Sequence, residues 1–351
     1  MNKVIGILAA LSILLTTSLP MFAHHSAAAY NTQQDIKVTG TVKQYSYKNP
    51  HVYLVVDVKK DDGSVVAMEV EAGAPAVLNP LGFTKDSVKV GDLVTIVGNP
   101  HRTSDRSILG KDLIKKDGTY YPLNIASRSV YNTKDATATS IAGTWFSPRT
   151  EFNGFLGGAS RWPVTDKGRA AMASADPKAT TQKDCIPIGA PAVMFYPVAN
   201  TISVQKDKVV MKVDWMGVER TVFLDGRKHP PAAETSLLGH SVGKWEGDTL
   251  VVETTNFKEH PMGLSTSLPS STQKRLTERF KLSTDKKTLI YSGVVEDPVY
   301  LTKPVEWTGK WEYRPGMPHS NEKCDLETAR QFLKIWLVKR TCSLYCCRRG
   351  L

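Results

Sequence analysis

Three groups of residues carry chemistry that could act on, or hold, another molecule. The first is Gly239-His240-Ser241-Val242-Gly243, which matches the G-x-S-x-G turn that exposes a serine nucleophile in α/β-hydrolases. That chemistry needs a buried strand before the serine and a helix after it, so that Oγ is lifted onto a sharp turn. Here Pro230-Pro231-Ala232-Ala233-Glu234 precedes the motif and Lys244-Trp245-Glu246-Gly247-Asp248 follows it. Neither is the required element. Ser241 therefore reads as part of a loop that leads into a hairpin, with Gly239 and Gly243 supplying backbone freedom. A hydrolase using Ser241 stands as an alternative reading.

The second group is Asp225, Arg227, His229, His240 and Glu246, with Asp248 and Glu253 nearby; together they could line the mouth of a pocket. Asp225-Gly226-Arg227 and Glu246-Gly247-Asp248 are equally good turns, where Asp and Gly serve the backbone alone. Trp245, Leu250 and Val252 read as core. The structural reading is favoured, and the first five residues are kept as ligand-binding candidates.

The third group lies at the N-terminus. Lys3, an apolar run from Val4 to Leu15 and Met21-Phe22-Ala23 form the pattern of a secretory signal peptide. Cleavage after Ala23 would give His24 a free α-amine beside its imidazole, a pair that can chelate one metal ion. His25 and His51 supply further nitrogens, with Glu71 and His101 as additional candidates. Such a donor set suits copper, and neutral imidazole also suits zinc. The arrangement resembles copper proteins that hold their metal through an N-terminal histidine. The plain alternatives are an unpacked chain end and, for Asn49-Pro50-His51, a turn entering a strand.

These groups need elements to position them. With 351 residues, two domains are expected. The leader's apolar run is shorter than the roughly 20 residues that span a bilayer, and no other window is long and apolar enough. The mature chain is expected to be exported, periplasmic or secreted, without a transmembrane span. The net charge of +11 invites a nucleic-acid partner, but it is concentrated at the ends. Arg330, Lys334, Lys339, Arg340, Arg348, Arg349 and Lys3 account for seven of the eleven charges, leaving +4 for residues 24–328. No nucleic-acid partner is expected. Of five cysteines, Cys185 and Cys324 lie in the body and are expected to pair as a disulfide in an oxidising compartment, the plain alternative being two free buried thiols.

From Asp35 to Tyr121 the pattern is β, in segments Ile36–Tyr47, Val52–Lys59, Val65–Glu71 and Leu93–Val97, with Asp61-Asp62-Gly63 as a hairpin turn. Residues Ala74–Val90 lack strand character and leave room for one short helix. Three strands, a helix and two more strands is the order of an OB-like barrel. Residues 124–142 read as a linker. From Gly143-Thr144-Trp145 onward a second antiparallel β domain is expected, a barrel or sandwich. Its strands are Thr201–Gln205, Lys208–Trp215, Arg220–Leu224, Thr249–Thr255, Leu276–Leu282, Leu289–Val295 and Val305–Tyr313. A short helix capped by Thr165 precedes them. The opening Gly-x-Trp resembles the first strand of lipocalin-type barrels. In a closed barrel wide enough, alternate strand residues would line a ligand cavity. Residues 329–351 have a different character, basic and cysteine-rich without acids, as in a shifted reading frame or an unpacked tail.

The His24-His25-Ser26 start, Tyr30, Gly40-Thr41-Val42, Asn49-Pro50-His51, Leu81-Gly82, Gly91-Asp92 and Gly98-Asn99-Pro100 resemble a secreted bacterial family of unknown function with an OB-like domain, over about residues 24–122. The segment Asp225–Phe257, with GHSVGKWEGDTLVV, resembles a recurrent stretch of similar uncharacterised bacterial proteins. Neither resemblance implies an activity. The sequence thus points to an all-β exported binding protein for a metal ion or a small ligand. A Ser241 hydrolase, a copper-dependent oxidoreductase using His24, and a structural envelope protein are the alternatives.

Overall fold

A computed structural model describes residues 29–124, 136–176 and 179–331. Over these residues the chain is all-β and builds two closed barrels. The first uses β1 (Ile36–Ser46), β2 (Tyr53–Lys59), β3 (Val65–Glu71), β4 (Leu93–Pro100) and β5 (Ser107–Lys115), with a short β6 (Tyr120–Pro122) paired to β5. The order β3-β2-β1-β4-β5 closes where Glu69, Val70 and Glu71 run parallel to Ser107, Ile108 and Leu109. This is the OB-like order, with α1 (Pro75–Leu78) between β3 and β4. Val42, Leu54, Val56, Val70, Ile96, Ile108 and Leu113 are fully buried inside it. Each such side chain contributes about 1.5–3 kcal/mol. Gly40 lets β1 and β2 approach closely, because a Cβ there would lie 2.4 Å from the Asp57 carbonyl oxygen.

The second barrel has nine strands: β7 (Gly143–Phe146), β8 (Ala199–Val204), β9 (Lys208–Val213), β10 (Val218–Phe223), β11 (His240–Glu246), β12 (Thr249–Thr255), β13 (Arg275–Leu282), β14 (Thr288–Glu296) and β15 (Val305–Tyr313). Strands β11 to β15 follow one another around the wall, β15 closes on β7, and β8, β9 and β10 complete the circle. Every pairing is antiparallel except β10–β11, a parallel seam held by two residue pairs, Val222 with Ser241 and Phe223 with Val242. Two helices, α2 (Arg149–Gly158) and α3 (Asp166–Ala173), lie between β7 and β8. The Thr165 hydroxyl caps α3 by accepting the Gly168 N–H at 3.1 Å.

Two features differ from the sequence-based expectation. Residues His240–Glu246, expected in a loop, form β11. Gly239, at φ +72°, makes the turn, and Gly243 stays in the strand because a Cβ there would lie 2.7 Å from Val222. Inward side chains, expected to line a ligand cavity if the barrel were wide enough, pack against one another among the described residues. Trp145, Phe195, Phe280, Tyr291 and Trp311 are all 2% exposed or less, and they meet at ring-centroid distances such as 5.0 Å for Phe280–Tyr291 and 5.2 Å for Phe195–Tyr291. The centre of this barrel is packed core.

The barrels are tied together by residues 319–325. Cys324 is joined to Cys185 by a disulfide with Cα atoms 5.7 Å apart, the expected pairing. Alongside it, the Asn49 side chain donates to the Glu322 carbonyl at 2.5 Å, and the Asp325 N–H donates to the Asn49 carbonyl at 3.0 Å. Lys48 and Asp325 form an ion pair at 3.0 Å. Among the described residues no helix is long and apolar enough to cross a membrane. Residues 332–351 of the suspected tail (329–351), residues 125–135 of the expected linker, the leader, and His24 and His25 lie outside the described residues.

Candidate functional site

The hairpin Asp61-Asp62-Gly63 sets the register of β2 on β3, so that Tyr53 stands opposite Glu71. Residues just before β2 must then lie beside those just after β3, and His51 meets Glu71 and Ala72 there. The His51 Nδ1 is 3.2 Å from the Ala72 carbonyl oxygen and 3.6 Å from Glu71 Oε1. A carbonyl oxygen can only accept, so Nδ1 carries a proton, and in the neutral ring the lone pair sits on Nε2. Among the described residues, no hydrogen bond to Nε2 is present.

Glu71 is 1% exposed, and its Oε1 has no hydrogen-bond partner among the described residues. Its other oxygen, Oε2, accepts from the Tyr30 hydroxyl at 3.3 Å, and Tyr30 also bonds Ser107 Oγ at 2.9 Å. Tyr53, opposite Glu71, has a buried hydroxyl without a partner among the described residues. Burial, reinforced by the charge of Glu71, pushes both Tyr30 and Tyr53 well above the ordinary tyrosine range, which keeps these rings neutral. The result is a buried carboxyl group fenced by two neutral phenols, with one imidazole at its open side. A buried charge so placed is costly unless a positive partner offsets it.

His101 takes a different part. Its Nδ1 accepts the Thr103 N–H at 3.2 Å, which assigns the proton to Nε2, and its ring meets Tyr30 edge-on at 5.1 Å. It therefore packs against Tyr30 and does not present a lone pair as the sequence suggested. Glu71 changes role as well. It sits on the Nδ1 side of His51, with Oε1 3.6 Å from that nitrogen, on the other side of the ring from Nε2. Among the described residues no group of three or more His, Cys, Asp or Glu side chains converges to hold a metal ion. His51 would need donors from His24 and His25. Tyr30 lies five positions beyond His25 in sequence, a reach of up to about 18 Å at full extension.

On the second barrel, four of the five ligand candidates come together on the outer wall. Arg227 pairs with Asp225 and lies 3.7 Å from the centroid of Phe223, which stacks on His240 at 5.3 Å. His240 Nδ1 is 3.0 Å from His229 Nδ1, so one proton serves both rings. Burial and the neighbouring His229 hold His240 below the usual histidine range. Glu246 does not join them. It lies six residues along β11, about 20 Å by strand rise, and pairs with Lys244 and Arg279. His229 edges an open cleft of about 790 Å³ that also includes Asn256, Gln273, Arg275, Glu296 and Lys303.

Ser241 faces inward on β11 and is 2% exposed. Its Oγ lies 2.9 Å from Thr254 Oγ1 and accepts from Arg220 at 3.2 Å. It is followed by strand, and its neighbour His240 points to the outer face, so the nucleophile geometry is absent. Ser241→Ala is expected to leave hydrolysis of short esters unchanged and to lower stability by about 1–3 kcal/mol, since Arg220 loses a buried acceptor. Appearance of a serine-dependent esterase rate would reverse that assignment.

The residues that sequence reasoning missed are the inward charges Arg220, Glu278 and Lys274. Arg220 donates twice to Glu278, whose Oε1 also accepts from Tyr291 at 2.7 Å. Burial alone would push the guanidinium down, but Glu278 holds it above its ordinary value. Lys274 is 1% exposed, donates to the Ala190 and Gly263 carbonyls at 3.0 Å each, and lies 4.0 Å from the Phe257 centroid. Burial pushes its amine down to about 7. The unfolded chain keeps that proton up to the ordinary 10.5, so between these values the unfolded state binds more protons and stability rises with pH. Lys274→Met is expected to flatten this rise, measured by urea unfolding across the window; an unchanged slope would contradict it.

Residues 11–110 match the model of a family of unknown function (DUF6152), a stretch that includes β1 to β4 and the start of β5. The match agrees with the resemblance read from the HHS and Asn49-Pro50-His51 motifs and assigns no activity. No curated protein matches the chain.

Proposed function

We propose that this is an exported, non-enzymatic metal-binding protein whose first barrel presents His51 Nε2 as a ligand, with His24 and His25 of the processed chain completing the site. The observation that carries the reading is the orientation of the His51 ring, its Nδ1–H donated to the Ala72 carbonyl with the buried Glu71 carboxyl group 3.6 Å away. A carboxyl group behind an imidazole raises ligand basicity and fixes the ring, and metal-ligating histidines use the same support. Nitrogen donors select copper or zinc. In this reading cleavage after Ala23 supplies the α-amine of His24 as a further donor, and export by the leader pattern carries the protein to the periplasm or out of the cell. Calorimetric titration of the mature chain with Cu(II) and with Zn(II) tests the reading. One site per chain is expected, and absence of saturable binding would remove it.

A second reading, binding of a small polar ligand, is favoured by the cleft beside His229. The cleft is edged by Asn256, Gln273, Arg275, Glu296 and Lys303 as well as His229, which offer a polar ligand both donors and acceptors.

A further inference from the structure

The loop that carries His51 is short, running from Tyr47 to Val52 between β1 and β2, and much of what holds it comes from the far end of the chain. Asn49, two residues before His51, is 1% exposed and forms a bridge to Cys324. Its side chain donates to the Glu322 carbonyl, its own carbonyl accepts from Asp325, and Lys48 pairs with Asp325. Residues 322–325 have little secondary structure, so their position depends on their anchors. One anchor is Asp214, which accepts from the Ser320 N–H and Oγ at 2.7 and 2.8 Å. The other is the disulfide from Cys324 to Cys185. Cys185 follows a turn, Thr181–Asp184, whose Gln182 side-chain Oε1 accepts from Tyr196 Oη at 2.9 Å and from Trp215 Nε1 at 3.1 Å, both side chains of the second barrel's core.

A continuous set of bonds thus runs from the wall of the second barrel, through Cys185 and Cys324, to Asn49 and the loop of His51. We propose that the Cys185–Cys324 disulfide is a positioning element for His51, so that opening it releases the imidazole from Ala72 and Glu71 and weakens metal binding at the first barrel. The metal half of this inference rests on the function proposed above; the positioning half does not. Opening the bond consumes one dithiol reductant, which leaves as its own cyclic disulfide while Cys185 and Cys324 each gain a thiol proton. The affinity of the site would then report the redox state of its compartment.

The test uses the mature chain and a Cys185→Ser/Cys324→Ser variant, without reductant. Nitrogen-15 NMR of the His51 ring reads its tautomer, and Zn(II) titration reads affinity. The wild type is expected to show the Nδ1–H form alone. The variant is expected to show a mixture of tautomers and about tenfold weaker zinc binding, within the range lost when outer-shell support is removed. An unchanged His51 tautomer in the variant overturns the proposal, whatever the affinities. A changed tautomer in a chain that binds no zinc upholds the positioning role and removes the metal reading. If the double variant does not fold, Asn49→Ala removes the side-chain bond to Glu322 and Lys48→Ala the pair with Asp325, and this second double variant, with the disulfide intact, is decided by the same two readouts.

Discussion

Arg220→Ala is expected to lower the unfolding free energy by about 3–5 kcal/mol, the cost of leaving one member of a buried ion pair without the other. Arg220 and Glu278 are 3% and 0% exposed, and the guanidinium also serves Ser241 and Thr254. Removing it strands the Glu278 carboxyl group with only the Tyr291 hydroxyl as donor. Glu278→Ala should cost about as much, for the converse reason. Arg220→Met combined with Glu278→Leu should be far less damaging, because apolar residues of similar size remove both desolvation costs together. Urea unfolding of the four proteins measures this. A loss below about 1 kcal/mol for Arg220→Ala would mean that water reaches the barrel's interior, and the packed-core description would fail.

The second large effect concerns the first barrel. His51→Ala removes the one described side chain with an uncommitted imidazole lone pair beside Glu71, and metal affinity should fall by at least about a hundredfold. Glu71→Gln keeps the size of the side chain but removes the charge behind the imidazole, so a fall of about 10–100-fold is expected. His101→Ala should lose little affinity, since its Nδ1 is committed to Thr103 and its ring packs on Tyr30. The order His51, then Glu71, then His101 separates a ligand, its orienting group and a packing residue. Equal losses for all three would point instead to general damage of the fold.

Much of the scaffold was legible because its signals are local. The strands β3, β12 and β15 begin and end at the expected residues, and α3 starts at its expected Thr165 cap. β11 was hidden because its inward positions are Ser241 and Gly243, and neither gives an apolar beat. The same holds for Arg220 on β10 and Glu278 on β13: each lies inside and interrupts the alternation that marks a buried face. Polar pairs satisfied across strands cannot be read from either strand alone, since the partner that makes burial tolerable is 58 residues away.

The candidate site divides in the same way. His51 was found because Asn49-Pro50-His51 stands out at a loop, and Glu71 because it ends a strand. Their contact follows from the turn at Asp61-Asp62-Gly63, from which the pairing of β2 and β3 steps evenly outward to Tyr53 and Glu71. What the sequence could not show is the direction of approach. Glu71 reaches the Nδ1 side of the ring, and that makes it a support for His51 and not a second ligand. On the second barrel, His229 and His240 meet through a strap eleven residues apart, while Glu246, on the same strand as His240, is carried away by strand geometry.

The most direct measurement is the copper retained per chain by protein beginning at His24, after loading with Cu(II) and desalting, for the wild type and His51→Ala side by side. The account predicts close to one copper per wild-type chain and almost none for His51→Ala. Equal retention by the two proteins, or no copper on either, would contradict it.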